Sequence, residues 1–171
     1  MERVGLLQLG GNDVTVIGPD ITVGMDAPDY SVRDNGWQVV QGLASTAGKV
    51  RIIAAVPSLS TSVCDQETRR FNQEAASLSD DVVVQVLSMD LPFTQKQWCG
   101  NAGVERVVTL SDAYDGNFGE SYGVMIKERR HFRRAVWVVD RNGKVVYSEY
   151  MPALGNEPDY EAVLAAAKAA L

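Results

Sequence analysis

The sequence predicts an α/β fold with a mixed central sheet flanked by helices and an N-terminal β-hairpin. Three observations carry this prediction. Apolar runs of strand length at Val50–Val56, Asp81–Ser88 and Arg106–Leu110 alternate with segments of helical character, the pattern of parallel strands joined by right-handed crossovers. Ala135–Val139 and Lys144–Tyr150 flank the turn Asp140-Arg141-Asn142-Gly143, which adds antiparallel strands. Arg3–Gln8 and Val14–Ile17 flank Gly10-Gly11-Asn12-Asp13, a strong hairpin turn, so residues 1–17 read as an N-terminal hairpin extension.

Bulk properties set the frame. The chain has 171 residues, 46% of them hydrophobic, which suits a single domain spanning 1–171 with a sizeable core. Its net charge of −6, from 16 basic and 22 acidic residues, argues against a nucleic-acid or anionic-membrane surface. The N-terminus lacks the apolar core of a signal peptide and no run reaches transmembrane length, so the expected compartment is the cytoplasm.

After the first hairpin, Gly18–Asp29 is a connector containing Pro19 and Pro28. Tyr30–Arg33 and Trp37–Val40 bracket Asp34-Asn35-Gly36, whose Asn-Gly step signals a second hairpin. Val50–Val56 is stopped by Pro57, which cannot donate to a sheet ladder. Cys64, Thr68, Phe71, Ala75 and Leu78 then recur at helical spacing. Asp81–Ser88 reads as a strand buried on both faces. Pro92 opens a helix through Cys99 that Gly100 and Gly103 would end. Asp112–Gly123 is polar and glycine-rich, with room for one helical turn. Lys127–Arg134 is a basic run, which is more often a solvated face than a field aimed at a site. Pro158–Leu171 is an alanine-rich closing helix with Asn156 or Glu157 near its cap.

Cys64 is the focus of the functional reading. Ser58, Ser60, Thr61 and Ser62 supply hydroxyls where a helix N-cap needs one, with Asp65 and Glu67 following in the first turn. Cys64 therefore lies near a helix start, where free N–H groups and the positive dipole end favour a thiolate over a thiol. A cysteine on an apolar helical stripe is equally at home as a small buried hydrophobe, and that reading stands beside the reactive one. The second cysteine is Cys99. In a reducing compartment two cysteines are either unpaired passengers or a transient redox pair. Two cysteines and one histidine argue against a structural zinc site.

The spacing Pro57-x-x-x-Thr61-x-x-Cys64 resembles the peroxiredoxin active-site pattern. Further segments in the same order are similar to one subfamily, the thiol peroxidases, which are atypical two-cysteine peroxiredoxins. These are Gly11–Thr15, Arg69-Arg70-Phe71-Asn72, Asp90-Leu91-Pro92-Phe93, Gln97-Trp98-Cys99-Gly100, Tyr122-Gly123-Val124, Arg134-Ala135-Val136 and Glu157–Ala162. The resemblance covers nearly the whole chain and implies a thioredoxin-like fold of peroxiredoxin type.

It also implies a set of roles. Cys64 would be the peroxidatic cysteine, oxidised by a hydroperoxide to a sulfenic acid. Pro57 would shield the loop, Thr61 would hydrogen-bond the sulfur and the peroxide, and Arg134 would stabilise the thiolate and the leaving oxygen. Cys99 would be the resolving cysteine, forming an intramolecular disulfide that thioredoxin reduces. No cofactor would be needed, because thioredoxin supplies the reducing equivalents. The resemblance further implies a homodimer and alkyl hydroperoxides preferred over hydrogen peroxide. Since the two cysteines read on separate helices, and a disulfide needs Cα atoms within about 7 Å, local unwinding is expected before the bond forms. Ser60 stands where the family commonly has aspartate.

Three rival readings remain. A thioredoxin-like disulfide oxidoreductase is disfavoured by the missing Cys-x-x-Cys. A redox sensor would use the same cysteine pair without rapid cycling. A structural α/β domain would carry inert cysteines.

Overall fold

The computed structural model describes residues 1–75 and 77–171. It opens with the expected hairpin, β1 (Glu2–Leu9) and β2 (Asn12–Ile17). Leu9 faces Asn12, leaving Gly10 and Gly11 as a two-residue turn with φ of 59° and 79°. Positive φ at both turn positions gives the twist that two right-handed strands require, and glycine adopts it without steric cost.

The second hairpin is β3 (Ser31–Arg33) and β4 (Val39–Gln41), with Val32 opposite Val40. Its turn is longer than the Asn-Gly step predicts. Asp34 Oδ1 accepts from the N–H groups of Gly36 and Gln38, so a side chain closes the loop and Trp37 is left in it at φ 66°.

The core of the chain is β5 (Val50–Ala55), α1 (Ser62–Ala75), β6 (Val82–Ser88), α2 (Pro92–Ala102) and β7 (Val107–Ser111). There follow α3 (Asn117–Ser121), β8 (Met125–Ile126), β9 (His131–Phe132), β10 (Ala135–Val139), β11 (Val145–Tyr150) and α4 (Tyr160–Ala169). The main sheet has the order β11-β10-β5-β6-β7-β3-β4. Strands β5, β6 and β7 are parallel, and the outer strands pair antiparallel. A smaller sheet, β1-β2-β8-β9, carries the N-terminal hairpin.

All six residues of β5 are buried, and their alternation builds two cores. Ile52 and Ala54 face α1 and α4, with Phe71, Val136, Val138 and Val163. Ile53 and Ala55 face an aromatic cluster that includes Phe118, Tyr122 and Trp137. Cys64 belongs to the first of these cores.

Several sequence expectations need correction. Gly100 lies within α2 and does not end it; Gly103, at φ 68°, is the terminator and donates its N–H to the Cys99 carbonyl. The cap of α4 is Asp159, whose side chain accepts from the Ala162 N–H, and neither Asn156 nor Glu157. Helix α1 ends at Ala75, with Leu78 buried in the turn that follows. The basic run is not a uniformly solvated face: it contains β9, with Phe132 fully buried, and Arg133 is buried beside Asp20 at 3.5 Å and over the Tyr150 ring.

Where the hairpin rejoins the core, two backbone segments cross. A Cβ on Gly18, at φ 91°, would lie 1.8 Å from the Glu120 carbonyl oxygen, and one on Gly123 would lie 2.2 Å from that of Pro19. Backbone cannot yield as a side chain can. Gly18→Ala should therefore destabilise the protein by more than about 2 kcal/mol, while Gly155→Ala, which meets nothing within 4 Å, should be near neutral. Urea denaturation of both variants checks this, and equal midpoints would refute it.

Candidate active site

Pro57 ends the β5 segment and starts the loop that delivers Cys64. The loop is tied to the end of β6 by one carboxylate. Asp90 accepts from Ser58 Oγ at 2.8 Å, the Leu59 N–H at 2.9 Å and Ser88 Oγ at 2.7 Å. Ser60 lies within this knot, its hydroxyl 2.8 Å from that of Ser58. Four hydroxyl residues were available to cap α1, and Thr61 does so. Its carbonyl accepts from the Asp65 N–H at 3.0 Å, and its Oγ1 accepts from the Cys64 N–H at 3.4 Å while donating to the Ser58 carbonyl.

Cys64 thus sits in the first turn of α1, fully buried, with its sulfur 3.2 Å from Arg134 Nη2. Arg134 is itself 1% exposed. It ion-pairs with Glu67 through Nη1 and donates to the Leu154 carbonyl from Nε and Nη2, at 3.2 and 3.0 Å. Arg133 and Arg134 immediately precede β10, where successive side chains alternate, so Arg133 points to Asp20 and Arg134 to Cys64. The Leu154 side chain packs against Leu7, Val14 and Ile126, so the N-terminal hairpin supports the carbonyl that holds the guanidinium.

Pro57, Thr61, Ser62, Val63, Arg134, Leu154 and Gly155 line a cleft of about 210 Å³. Arg134 belongs both to the cleft wall and to the surroundings of the sulfur. Such a cleft suits a small, largely apolar molecule and has one cation, Arg134, in its wall.

Four of the five residues singled out in the sequence, Pro57, Thr61, Cys64 and Arg134, therefore converge. Cys99 stands apart. It is half-buried on α2, its sulfur 3.2 Å from Thr109 Oγ1, which in turn donates to Asn35 Oδ1 at 3.0 Å. It lines a separate hollow of about 310 Å³ with Asp34, Asn35, Gly36 and the start of β7. Both cysteines are free, and they lie on separate helices as expected. His131, on β9, contacts the Phe132 carbonyl and takes no part in the site. Among the described residues no cluster of three or more His, Cys, Asp or Glu could hold a metal ion.

Glu67 is the site residue that sequence reasoning missed. It is three positions beyond Cys64, on the same face of α1, and fully buried. A carboxylate within an apolar stripe is almost never buried without a partner, and that was the available signal. Asp90 gave no such signal, because its role depends on where the β6 strand ends relative to the Cys64 loop.

Comparison with known proteins places this geometry in a class. The Redoxin family model matches residues 22–164, which defines a thioredoxin-like redox domain. A solved peroxiredoxin-like protein from Aquifex aeolicus superimposes with a TM-score of 0.87 at 36% identity, covering 98% of this chain and 99% of that one. A thiol peroxidase from Chromobacterium violaceum shares the fold, with a TM-score of 0.82 at 22% identity over 95% of each chain. The thiol peroxidase of Bacillus subtilis (strain 168) is 51% identical over 159 residues, which is 93% of this chain and 94% of that protein. The chain belongs to the thiol peroxidase family of peroxiredoxins, and it is a thiol-dependent peroxidase.

Burial pushes the Glu67 carboxyl up to about 7, against the lowering effect of Arg134 and with Glu157 and Glu149 adding to the rise. One of its oxygens, Oε1, is buried without a hydrogen-bond partner. The folded chain then keeps a proton that the unfolded chain has released, so stability is fully present below the ordinary carboxylate range and declines as pH rises towards 7. The slope is at most about 1.4 kcal/mol per pH unit for one group. Asp112, raised to about 7 by burial, adds a second contribution in the same window. Glu67→Gln should remove its own part and leave that of Asp112. Denaturation midpoints at roughly pH 5 and pH 7 test this, and an unchanged pH dependence in the variant would contradict it.

Proposed function

We propose that Cys64 is the peroxidatic cysteine, Cys99 the resolving cysteine, and Pro57, Thr61 and Arg134 the groups that make Cys64 reactive. The observation that carries this reading is the Arg134 guanidinium 3.2 Å from a fully buried sulfur in the first turn of a helix. The Cys64 thiolate attacks the outer oxygen of a hydroperoxide. The O–O bond breaks, the alcohol or water leaves with a proton, and Cys64 becomes a sulfenic acid. Negative charge moves from sulfur to the departing oxygen, and Arg134 can follow it because it borders both the sulfur and the cleft. Thr61 and Pro57 line the cleft with Arg134, and the Thr61 hydroxyl fixes the Cys64 turn through the Cys64 N–H and the Ser58 carbonyl.

The Cys99 thiol then attacks the sulfenic sulfur, water leaves, and an intramolecular disulfide remains. Thioredoxin returns it to two thiols, so the cycle draws its electrons from a protein partner and uses no cofactor. The cleft's lining of Pro57, Val63 and Leu154 suits alkyl hydroperoxides as well as hydrogen peroxide. A homodimer acting in the cytoplasm completes the reading. No helix among the described residues is long and apolar enough to cross a membrane.

The decisive assay follows NADPH consumption with thioredoxin, its reductase and cumene hydroperoxide. Cys64→Ser and Cys99→Ser should both lose turnover, while Cys99→Ser still consumes about one equivalent of peroxide. Full turnover in Cys64→Ser would overturn the mechanism. A wild-type enzyme that forms the disulfide but does not cycle would instead be a redox sensor. Arg134→Gln should slow the first-equivalent reaction by roughly 10²–10³-fold, the loss typical of one donor to a developing oxyanion, as measured by stopped flow. A change below about threefold would remove Arg134 from the reaction.

A further inference from the structure

Beside the face of α1 that carries Cys64, Glu67 and Thr68 runs a second stripe, Asp65, Arg69 and Asn72, at positions i, i+4 and i+7. This stripe holds the end of α2. The Trp98 indole N–H donates to Asp65 Oδ1 at 2.8 Å. Arg69 Nε donates to Asp65 Oδ2 at 2.8 Å, and its guanidinium lies 5.7 Å from the Trp98 ring centroid and donates to the Ala102 carbonyl at 3.3 Å. Asn72 Oδ1 accepts from the N–H groups of Glu105, Arg106 and Val107, just beyond the helix. Trp98 and Asp65 are the sequence neighbours of the two cysteines.

We propose that the Trp98–Asp65–Arg69 contact is the latch that sets the rate of disulfide formation, making these three positioning residues for the resolving step. This inference rests on the assignment of Cys64 and Cys99 above. Successive side chains on a helix diverge by about 100°. While Trp98 faces Asp65, the two sulfurs are directed elsewhere, Cys64 to Arg134 and Cys99 to Thr109. A disulfide requires the sulfurs about 2.05 Å apart and the Cα atoms within about 7 Å. Turning either helix to meet that demand takes Trp98 away from Asp65, so the latch must open first.

The rest of α2 is built to let go. Its buried residues are Pro92 and Gln95, both in the first half, and Gln95 donates to Ser88 Oγ and the Leu110 carbonyl. Its second half contains Gly100, where a Cβ would meet nothing within 4 Å. No close approach demands glycine there, and glycine weakens a helix interior. Beyond it, Gly103 ends the helix and Asn72 fixes the next segment, leaving Trp98 to Ala102 as the stretch that releases.

In the released state the Cys99 sulfur attacks Cys64 sulfenic acid. An S–S bond forms, the S–O bond breaks, and water leaves. In the latched state the sulfenic acid persists and can meet a second hydroperoxide, which transfers an oxygen to give the sulfinic acid and an alcohol. The latch thereby divides the oxidised enzyme between recycling and loss.

The test uses full-length protein, quenched-flow alkylation and intact mass. Trp98→Phe keeps an aromatic side chain but removes the indole N–H donor, and should speed disulfide formation about tenfold, the worth of a hydrogen bond to a charged acceptor. Asp65→Ala should do the same, and the double variant should be no faster than the faster single one. Gly100→Ala should act in the opposite sense, slowing the step about fivefold by firming the helix. Sulfinic acid yield at rising cumene hydroperoxide should fall in the first set and rise in Gly100→Ala. The rate of sulfenic acid formation, measured in a Cys99→Ser background, should stay unchanged in all of them, which a general loss of structure would not allow. Wild-type disulfide formation with unaltered rates in Trp98→Phe and Gly100→Ala would overturn the latch alone. Absence of a Cys64–Cys99 disulfide in the wild type would overturn the cysteine assignment instead.

Discussion

Arg134 has its guanidinium almost wholly out of water, and it divides its donors among the Glu67 carboxylate, the Leu154 carbonyl and the Cys64 sulfur. Removing a cation from water costs several kcal/mol unless its hydrogen bonds are replaced. The replacements come from two distant parts of the chain, Glu67 and Cys64 from α1 and Leu154 from the segment after β11, while the arginine itself lies just before β10. The cation can exist there only when the helix, the central strand and the closing loop are all in register. The N-terminal hairpin joins this arrangement through the apolar contacts of Leu154 with Leu7 and Val14. What looks like an appendage in the chain order is a buttress of the site.

That arrangement supports the proposal that a cysteine buried like a core hydrophobe is a chemical centre. Here the sulfur meets a fixed cation and the N-terminal end of α1, so the surroundings are already arranged for negative charge before any peroxide arrives. Glu67 moderates this. Its carboxyl competes with the sulfur for the same guanidinium, and burial holds that carboxyl near the point where it exchanges its proton around neutral pH. The share of Arg134 available to Cys64 is therefore set in part by a group that does not touch the cleft.

Much of this was legible in the sequence, and the reasons for the gaps are physical. Long apolar runs such as Val50–Val56 and Val82–Ser88 are strands on any reading, because six or seven residues show their burial directly. The loop residues Pro57, Thr61 and Cys64 lie within eight positions of one another, so local order carried them. Arg134 became legible only through family resemblance, since nothing in the run Lys127–Arg134 tells which cation turns inward. Alternation before β10 decides that, sending Arg133 and Arg134 to different partners. Strands β8 and β9 have two residues each, too few for a period to show. Asp90 and Glu67 escaped because a carboxylate's partner is a fact of tertiary structure, and only the helical stripe around Glu67 offered a hint.

The two steps proposed for Cys64 and Cys99 would place opposite demands on one helix. Reaction with peroxide needs Cys64 held against Arg134 without movement, so that the charge on the leaving oxygen is met with no reorganisation. Disulfide formation needs the same cysteine, or its partner, to leave its place. The structure separates these demands by face. The inward stripe of α1 is locked into the main core through Cys64, Phe71 and Ala75. The neighbouring stripe, Asp65, Arg69 and Asn72, is polar and half-exposed, and it holds α2 by a few contacts that water can replace. Rigidity is thus invested in apolar burial, which is cooperative and hard to undo, and mobility in a handful of hydrogen bonds, each of net worth near 1 kcal/mol. A protein that placed Cys99 on the buried side of α2 would have to open its core on every turnover. Cys99 is instead half-buried behind Thr109, on the half of α2 that buries no residue, so on the proposed latch it can leave its place without disturbing the sheet.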